Sequence, residues 1–176
     1  FKAATDRVWL RDSAPSFVVR DGEPKGEDGE PSGSVAMVNW KFNAWAKYDN
    51  YHDDRRLGRR IARKTGLHRW TPRVEVDGVS RRVVLEGGAI DVNGKGTILT
   101  TEECLLSNVQ ERNPGLGREG FERVFAEYLG APNVIWLGRG VHGDDTHGHV
   151  DDIARFVDAK TVVAVVEPNQ DDPNHE

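Results

Sequence analysis

Short apolar runs separated by polar, glycine-rich turns predict a chain that consists largely of strands. The runs cover residues 16–20, 35–40, 69–76, 81–85, 89–92, 97–101, 134–137, 153–157 and 161–166. The charged, Gly/Pro-rich segment 21–34 between the first two runs is interpreted as an exposed hairpin loop. Asn93-Gly94 separates two further runs, and this dipeptide between strands is a strong hairpin signal. The pattern therefore predicts several hairpins.

Two longer segments have helical character. In the first, apolar positions fall at i, i+3, i+4, i+7 and i+8, which are Phe121, Val124, Phe125, Tyr128 and Leu129. In the second, acidic residues come first and arginines follow, as suits the helix dipole, and Gly66 supplies a stop. Helices are therefore predicted over residues 118–129 and 53–64.

A short helical turn is predicted at residues 104–106, because Thr100 and Glu103 have the spacing of a capping box. From residue 81 to residue 137 the predicted order is then strand, strand, helix, strand. No sequence repeat is visible, but this order could be one unit of a repeated architecture of strands and helices. The fold class predicted is α/β.

Composition indicates a globular protein, since 37% of the residues are hydrophobic and five Trp and six Phe are present. The net charge of -5 argues against a general nucleic-acid binder. The basic segment 55–64 is interpreted as the solvated face of a helix, with a nucleic-acid or anion role as the alternative.

Cysteine content and chain ends bear on where the protein works. Cys104 is the only cysteine, so no internal disulfide can form and a reducing compartment, the cytoplasm, is expected. No apolar run approaches the ~20 residues of a membrane helix, so no membrane partner is expected. The chain begins at Phe1 and stops in a polar segment, and both ends resemble cuts within a longer protein.

Candidate chemistry is densest at residues 143–152, where two histidines and four aspartates precede a strand-like run. If this segment is extended, His149 and Asp151 point to the same face and into one cavity. The imidazole can shuttle protons near neutral pH, and the carboxylate can hold a cation. The alternative is a solvated acidic loop that happens to contain histidines.

Acidic residues next to strands occur at Asp12, at Glu86 and at the pair Asp145 and Asp151. Strand ends often gather catalytic groups from distant parts of a chain, because strands hold them rigidly. A pocket with several carboxylates suits a cationic substrate, and a planar guanidinium matches carboxylates best through paired N–H groups.

The chain also resembles a known family through an ordered set of motifs that runs from Trp9 to Phe156. The motifs are WLRDSAP, FNAW, LEGG, GKGT, TTEECLL, RNP, IWL and GHVD. In this order they resemble the agmatine deiminases, which are related to a bacterial peptidylarginine deiminase and belong to the guanidine-modifying superfamily. The resemblance implies a pentein fold, a β/α propeller of ββαβ units, of which residues 1–176 would be a partial catalytic domain.

The same resemblance implies hydrolysis of agmatine to N-carbamoylputrescine and ammonia, a step of putrescine and polyamine biosynthesis, through a covalent thiouronium intermediate. It implies no metal and no organic cofactor. By motif, Asp12 and Asp151 would grip the guanidinium. His149 would be the general acid/base, and Glu86 would orient it. Members of the family commonly form dimers, so a homodimer is expected.

Three further expectations follow from the motifs. Trp9 would line the pocket, and Asp145 would bind the substrate or its hydrogen-bond network. The nucleophilic cysteine would lie outside this chain in a Gly-Gly-Asn-like motif, so the fragment alone is expected to be inactive; Cys104 matches a different position and is interpreted as a small buried residue. The chain departs from the family at Ala46, where glycine is frequent, and at His147, where Asn or Asp is more usual.

Three alternatives remain open from the sequence. A peptidylarginine deiminase has the same motifs. A metal-dependent hydrolase could use ligands from one loop, namely His142, His147, His149, Asp145 and Asp151. A chain without a nucleophile could also only bind a guanidinium-bearing ligand.

Overall fold

The computed structural model describes residues 2–20 and 34–175, so the predicted loop 21–34 lies outside the described residues except for Ser34. The helices are α1 (Leu10–Ser13), α2 (Leu57–Thr65), α3 (Glu102–Leu106) and α4 (Gly117–Leu129). The strands are β1 (Ser16–Val19), β2 (Val35–Val38), β3 (His68–Trp70), β4 (Arg73–Val76), β5 (Val79–Arg82), β6 (Asp91–Val92), β7 (Thr97–Thr101), β8 (Asn133–Leu137), β9 (Ala154–Phe156) and β10 (Val162–Ala164). In the described ranges, no helix combines the length and apolar character that crossing a membrane requires.

Two three-stranded sheets share one topology. In the sheet β1-β2-β3 the first pair is antiparallel and the second parallel, with α2 in the crossover. In the sheet β6-β7-β8 the same order recurs, with α3 and α4 in the crossover. The predicted order of strand, strand, helix, strand is thus confirmed and occurs twice. The hairpins β4-β5 and β9-β10 complete the set.

The main core lies where α4 packs on the sheets. Phe121 and Phe125 are fully buried, with ring centroids 6.0 Å apart, among residues such as Leu85, Ile98 and Val38. The predicted helix over 118–129 is confirmed, and Gly130 ends it in the left-handed conformation at φ 64°. The apolar spacing of α4 thus accounts for its docking, because residues three and four apart share one helix face.

The strand β7 leads directly into α3, and the helix cap differs from the prediction. Thr101, not Thr100, is the N-cap, and its hydroxyl accepts a hydrogen bond of 3.0 Å from the Cys104 amide. The capping-box prediction is wrong because Thr100 is still in the strand and donates to the carbonyl of Ala89 at 2.8 Å. Thr101 also donates to the carbonyl of Gly148 at 2.5 Å, which ties the end of β7 to residues 143–152, called here the acidic histidine loop.

A left-handed turn at residues 44–46 follows the first hairpin. Ala44, Trp45 and Ala46 have φ of 53°, 60° and 52°, which costs L-residues energy that glycine avoids. The Asn43 side chain accepts a hydrogen bond from the Ala46 amide at 3.1 Å and supports the turn. The departure at Ala46 therefore lies at a left-handed position, where glycine avoids the steric cost. The departure at His147 also lies in the left-handed region, with φ of 62°, where Asn and Asp are more frequent than most residues.

We expect Ala46→Gly to raise the free energy of unfolding. Relief of the left-handed conformation is worth about 1–2 kcal/mol, and the extra freedom of glycine in the unfolded chain returns about 0.5–1 kcal/mol. Urea denaturation should therefore show a net gain of up to about 1.5 kcal/mol. The control is Ala62→Gly inside α2, which should lose stability; a loss at both positions would contradict the argument.

Candidate functional site

Asp12 is held rigidly near the start of the chain by two donors. Its residue is 7% exposed and lies on the one-turn helix α1. The Gly88 amide donates to Oδ1 at 3.0 Å, and the Trp45 indole N–H donates to Oδ2 at 3.1 Å. The left-handed turn at residues 44–46 therefore supplies the donor that orients this carboxylate.

Gly88 marks the point on which the site converges. It belongs to the 3-10 turn Gly87–Ala89, which directly follows Glu86. A Cβ atom on Gly88 would lie 2.4 Å from His149 Nδ1, 2.8 Å from Asp12 Oδ1 and 3.0 Å from Asp151 Oδ1. Only glycine fits here, because these three side chains from distant segments close in on its Cα.

His149 is surrounded by carboxylates. The residue is 3% exposed, and its Nδ1 lies 3.8 Å from Asp12 Oδ1 and 3.9 Å from Asp151 Oδ1. On the other side of the ring, Nε2 lies 3.8 Å from Glu86 Oε2. The condition stated from the sequence, an extended segment from His149 to Asp151, is not met, because His149 precedes the 3-10 turn Val150–Asp152. His149 and Asp151 nevertheless come together, through a helical turn.

Arg112 is the counter-ion of Glu86. Sequence reasoning did not assign Arg112 to the site. Both side chains are fully buried, and Nε lies 3.4 Å from each carboxylate oxygen. The guanidinium also donates to the carbonyl of Gln110 at 3.0 Å and to that of Thr146 at 2.5 Å. Arg112 therefore ties Glu86 to the acidic histidine loop; the Arg-Asn-Pro motif was the available signal.

The arrangement favours a charged imidazole at neutral pH. Burial opposes the charge, but the nearby side chains of Cys104 and Glu86 outweigh it and raise the pKa of His149 above its usual value; of the two, Glu86 is the one that is charged at neutral pH. At 3.8 Å the Glu86 contact is an attraction between charges and not a hydrogen bond. Burial works against the Glu86 carboxylate as well, yet His149 and Arg112 lower the pKa of Glu86 below its usual value. Burial raises the pKa of Asp12.

The other two predicted site residues, Trp9 and Asp145, are exposed. Trp9 is 59% exposed at the start of α1. Asp145 binds the ammonium of Lys47 and accepts a hydrogen bond of 2.9 Å from the Tyr48 hydroxyl. Its side chain is 60% exposed, so the structure does not join Asp145 to His149.

No three of the five loop ligands of the metal-hydrolase alternative lie close enough together to hold an ion, although His149 and Asp151 approach to 3.9 Å. His147 Nε2 lies 3.0 Å from the Ser107 hydroxyl. Among the described residues, the one group of three donors close enough for an ion is Glu86, Cys104 and His149, with donor atoms within 4.8 Å of one another. Arg112 beside Glu86 already supplies a positive charge there, which disfavours a cation.

Cys104 lies behind this cluster and is 1% exposed. Burial is the main cause that raises the pKa of its thiol, so the residue is a thiol at neutral pH. A buried thiol is a poor nucleophile. The structure therefore agrees with the interpretation of Cys104 as a small buried residue.

Known proteins match this chain along its whole length. Residues 1–176 match the family model of the Porphyromonas-type peptidyl-arginine deiminases. The chain is 38% identical to an agmatine deiminase of Ectopseudomonas mendocina, over 97% of this chain and 42% of that protein. It is 37% identical to an agmatine deiminase of Pseudomonas syringae pv. syringae, over 98% of this chain and 43% of that protein.

A solved structure extends the similarity to the fold. The agmatine deiminase of Enterococcus faecalis superposes with a TM-score of 0.82 at 34% identity, covering 100% of this chain and 44% of that one. The chain thus spans less than half the length of these relatives. Together with the two ββαβ units, this confirms that the described residues form part of a pentein fold. The chain belongs to the Porphyromonas-type peptidyl-arginine deiminase family.

Proposed function

We propose that the full-length protein hydrolyses agmatine to N-carbamoylputrescine and ammonia. The observation that carries the proposal is the convergence of Asp12, Asp151 and His149 around the Cα of Gly88, with Glu86 on the other side of the imidazole. Three carboxylates face two buried cations, His149 and Arg112, so the cluster has one negative charge left for a cationic substrate. The relatives named agmatine deiminase support a guanidinium as that cation.

Substrate binding in this proposal falls to Asp12 and Asp151. Both carboxylates lie on the Nδ1 side of His149, at 3.8 and 3.9 Å. A guanidinium between them can donate paired N–H groups to each, which fixes its plane and leaves the central carbon open to attack. Trp45 and Gly88 keep Asp12 in place, so its orientation is set before the substrate arrives.

Proton transfer falls to His149, with Glu86 as the group that keeps it charged. A cysteine thiolate from outside these 176 residues adds to the guanidinium carbon and gives a tetrahedral adduct. His149 gives its proton to the leaving nitrogen, ammonia departs, and a thiouronium remains. The neutral imidazole then takes a proton from water, and the hydroxide adds to the same carbon. The C–S bond breaks to release the thiolate, and the hydroxyl of the adduct loses its proton to solvent, which leaves the neutral ureido product.

Two further candidate functions are tested by the same assay. The name of the family model gives peptidyl-arginine as the substrate, whereas the names of the curated relatives give agmatine. We expect the full-length protein to release ammonia from agmatine in preference to free arginine and to a peptide ending in arginine. Preference for the peptide would favour the peptidyl-arginine reaction, and loss of activity on chelation would favour a metal hydrolase. No release from any of them would overturn the proposal.

The proposed product places the reaction in the formation of putrescine and other polyamines. A cytoplasmic site of action fits the single cysteine, and a homodimer stays a prediction from the family resemblance.

A further inference from the structure

A concave site that His149 does not line lies between α2 and the hairpin β4-β5. Its volume is about 810 Å³. Arginines dominate its lining: Arg55, Arg56 and Arg59 on the α2 side, and Arg73, Arg81 and Arg82 on the hairpin side. We call these six arginines and the space they enclose the cationic cavity. Lys41 and Arg112 also border it, and Arg112 is already paired with Glu86. Tyr51 and Phe42 are among its other lining residues, and no carboxylate borders it.

The positive charges of the cationic cavity have no acidic partners in the described part of the chain. Arg73 donates to the side chain and carbonyl of Ser80, and Arg82 donates to the carbonyls of Asn39 and Trp40. These acceptors are all neutral. By contrast Arg60, which points elsewhere from α2, pairs with Asp53 at 2.5 Å. An arginine of α2 can thus pair with a nearby carboxylate, and the arginines of the cationic cavity have none within reach among the described residues.

Arg82 is the most enclosed of the six. Its Nε is buried and has no hydrogen-bond partner among the described residues. Burial is the main cause that lowers the pKa of Arg82, and the charges of Arg69, Arg73 and Arg59 add to it. An arginine remains protonated despite such burial and neighbouring positive charges. Like charges that repel across a shared concavity are relieved when an anion binds between them.

We propose that the cationic cavity binds a small polyanion of the polyphosphate class. Several guanidinium forks facing one space match a ligand with several phosphate groups, because each fork can bind phosphate oxygens in pairs. The volume lies in the range of small-molecule sites. The net charge of -5 disfavours a long nucleic acid, which would meet repulsion beyond the cavity.

Calorimetric titration of the full-length protein with inorganic tripolyphosphate tests the proposal. We expect saturable binding to one site, with affinity falling from tripolyphosphate to pyrophosphate to orthophosphate. Raising NaCl from about 50 to about 500 mM should weaken binding strongly, because the Debye length shrinks severalfold. No saturable binding at low salt, or tighter binding of single-stranded RNA than of tripolyphosphate, would overturn the proposal.

Two double variants that remove the same number of positive charges distinguish binding in the cationic cavity from general electrostatic attraction to the protein. The double variant Arg59→Gln/Arg81→Gln removes two exposed charges that make no ion pair or side-chain hydrogen bond in the described ranges, so the fold should persist. We expect its tripolyphosphate affinity to fall at least about tenfold. The double variant Arg63→Gln/Arg123→Gln removes the same charge outside the cavity and should bind as the parent does. An equal loss in both would refute the assignment.

Discussion

Replacing Asp151 by asparagine is expected to lower kcat/KM for agmatine in the full-length protein by roughly 100-fold or more. In the proposed mechanism this carboxylate forms a charge-paired, bidentate contact with the guanidinium, and removing one partner of such a pair costs about 2–5 kcal/mol. The amide of asparagine keeps the size but loses the charge and one acceptor. Ammonia release under steady-state conditions measures the effect.

The adjacent Asp152 provides a matched control. Asp152→Asn makes the same chemical change one residue along the same 3-10 turn, and Asp152 lies outside the set of carboxylates within 4 Å of His149. We expect it to keep kcat/KM within a few-fold of the parent, as is usual for a surface change. Near-normal turnover of Asp151→Asn would remove this residue from the proposed mechanism.

Replacing Glu86 by glutamine is expected to lower the free energy of unfolding by about 3–5 kcal/mol, as for other broken buried ion pairs. The change leaves the shape of the side chain almost intact but deprives two buried cations, Arg112 and His149, of their nearest fully buried anion. Neither cation can turn to solvent, because their residues are 4% and 3% exposed. Guanidinium chloride denaturation measures the loss.

Glu102→Gln is the control for this change. Glu102 pairs with Arg118 at the surface, where both side chains are more than 40% exposed, so its loss should cost less than about 1 kcal/mol. If both variants unfold at the same denaturant concentration, the buried pair does not have the weight assigned to it. A lowered pKa of His149 in Glu86→Gln, followed by NMR titration, would report the same lost charge.

The helices and strands were predictable from sequence because each shows in the spacing of its own apolar residues. The helix α4 shows its face through apolar residues three and four apart, and β7 stands between a clear Asn-Gly turn and a polar helix start. The order of elements over residues 81–137 suggested one unit of a repeated architecture, but the second ββαβ copy was not visible in the sequence. The two copies share topology and not residues, so only the pairing of strands reveals the repeat.

Site residues were predictable from sequence where their chemical type and local surroundings indicate a role. They were not predictable where the role depends on a partner far away in the chain. Asp12, Glu86 and His149 drew attention as charged groups next to strands or glycines. Arg112 did not, because an arginine in a polar stretch gives no sign of burial until Glu86 meets it. The role of Trp45 was hidden likewise, since three successive left-handed residues without glycine are not expected from sequence.

The bare Cα of Gly88 has a practical consequence for redesign. Since backbone rather than a side chain forms the wall between Asp12, Asp151 and His149, that wall offers no handle for enlarging or reshaping the pocket by substitution. Variants that accept other guanidines must therefore come from side chains outside this wall, and a library that includes position 88 spends its members on proteins that cannot keep the site.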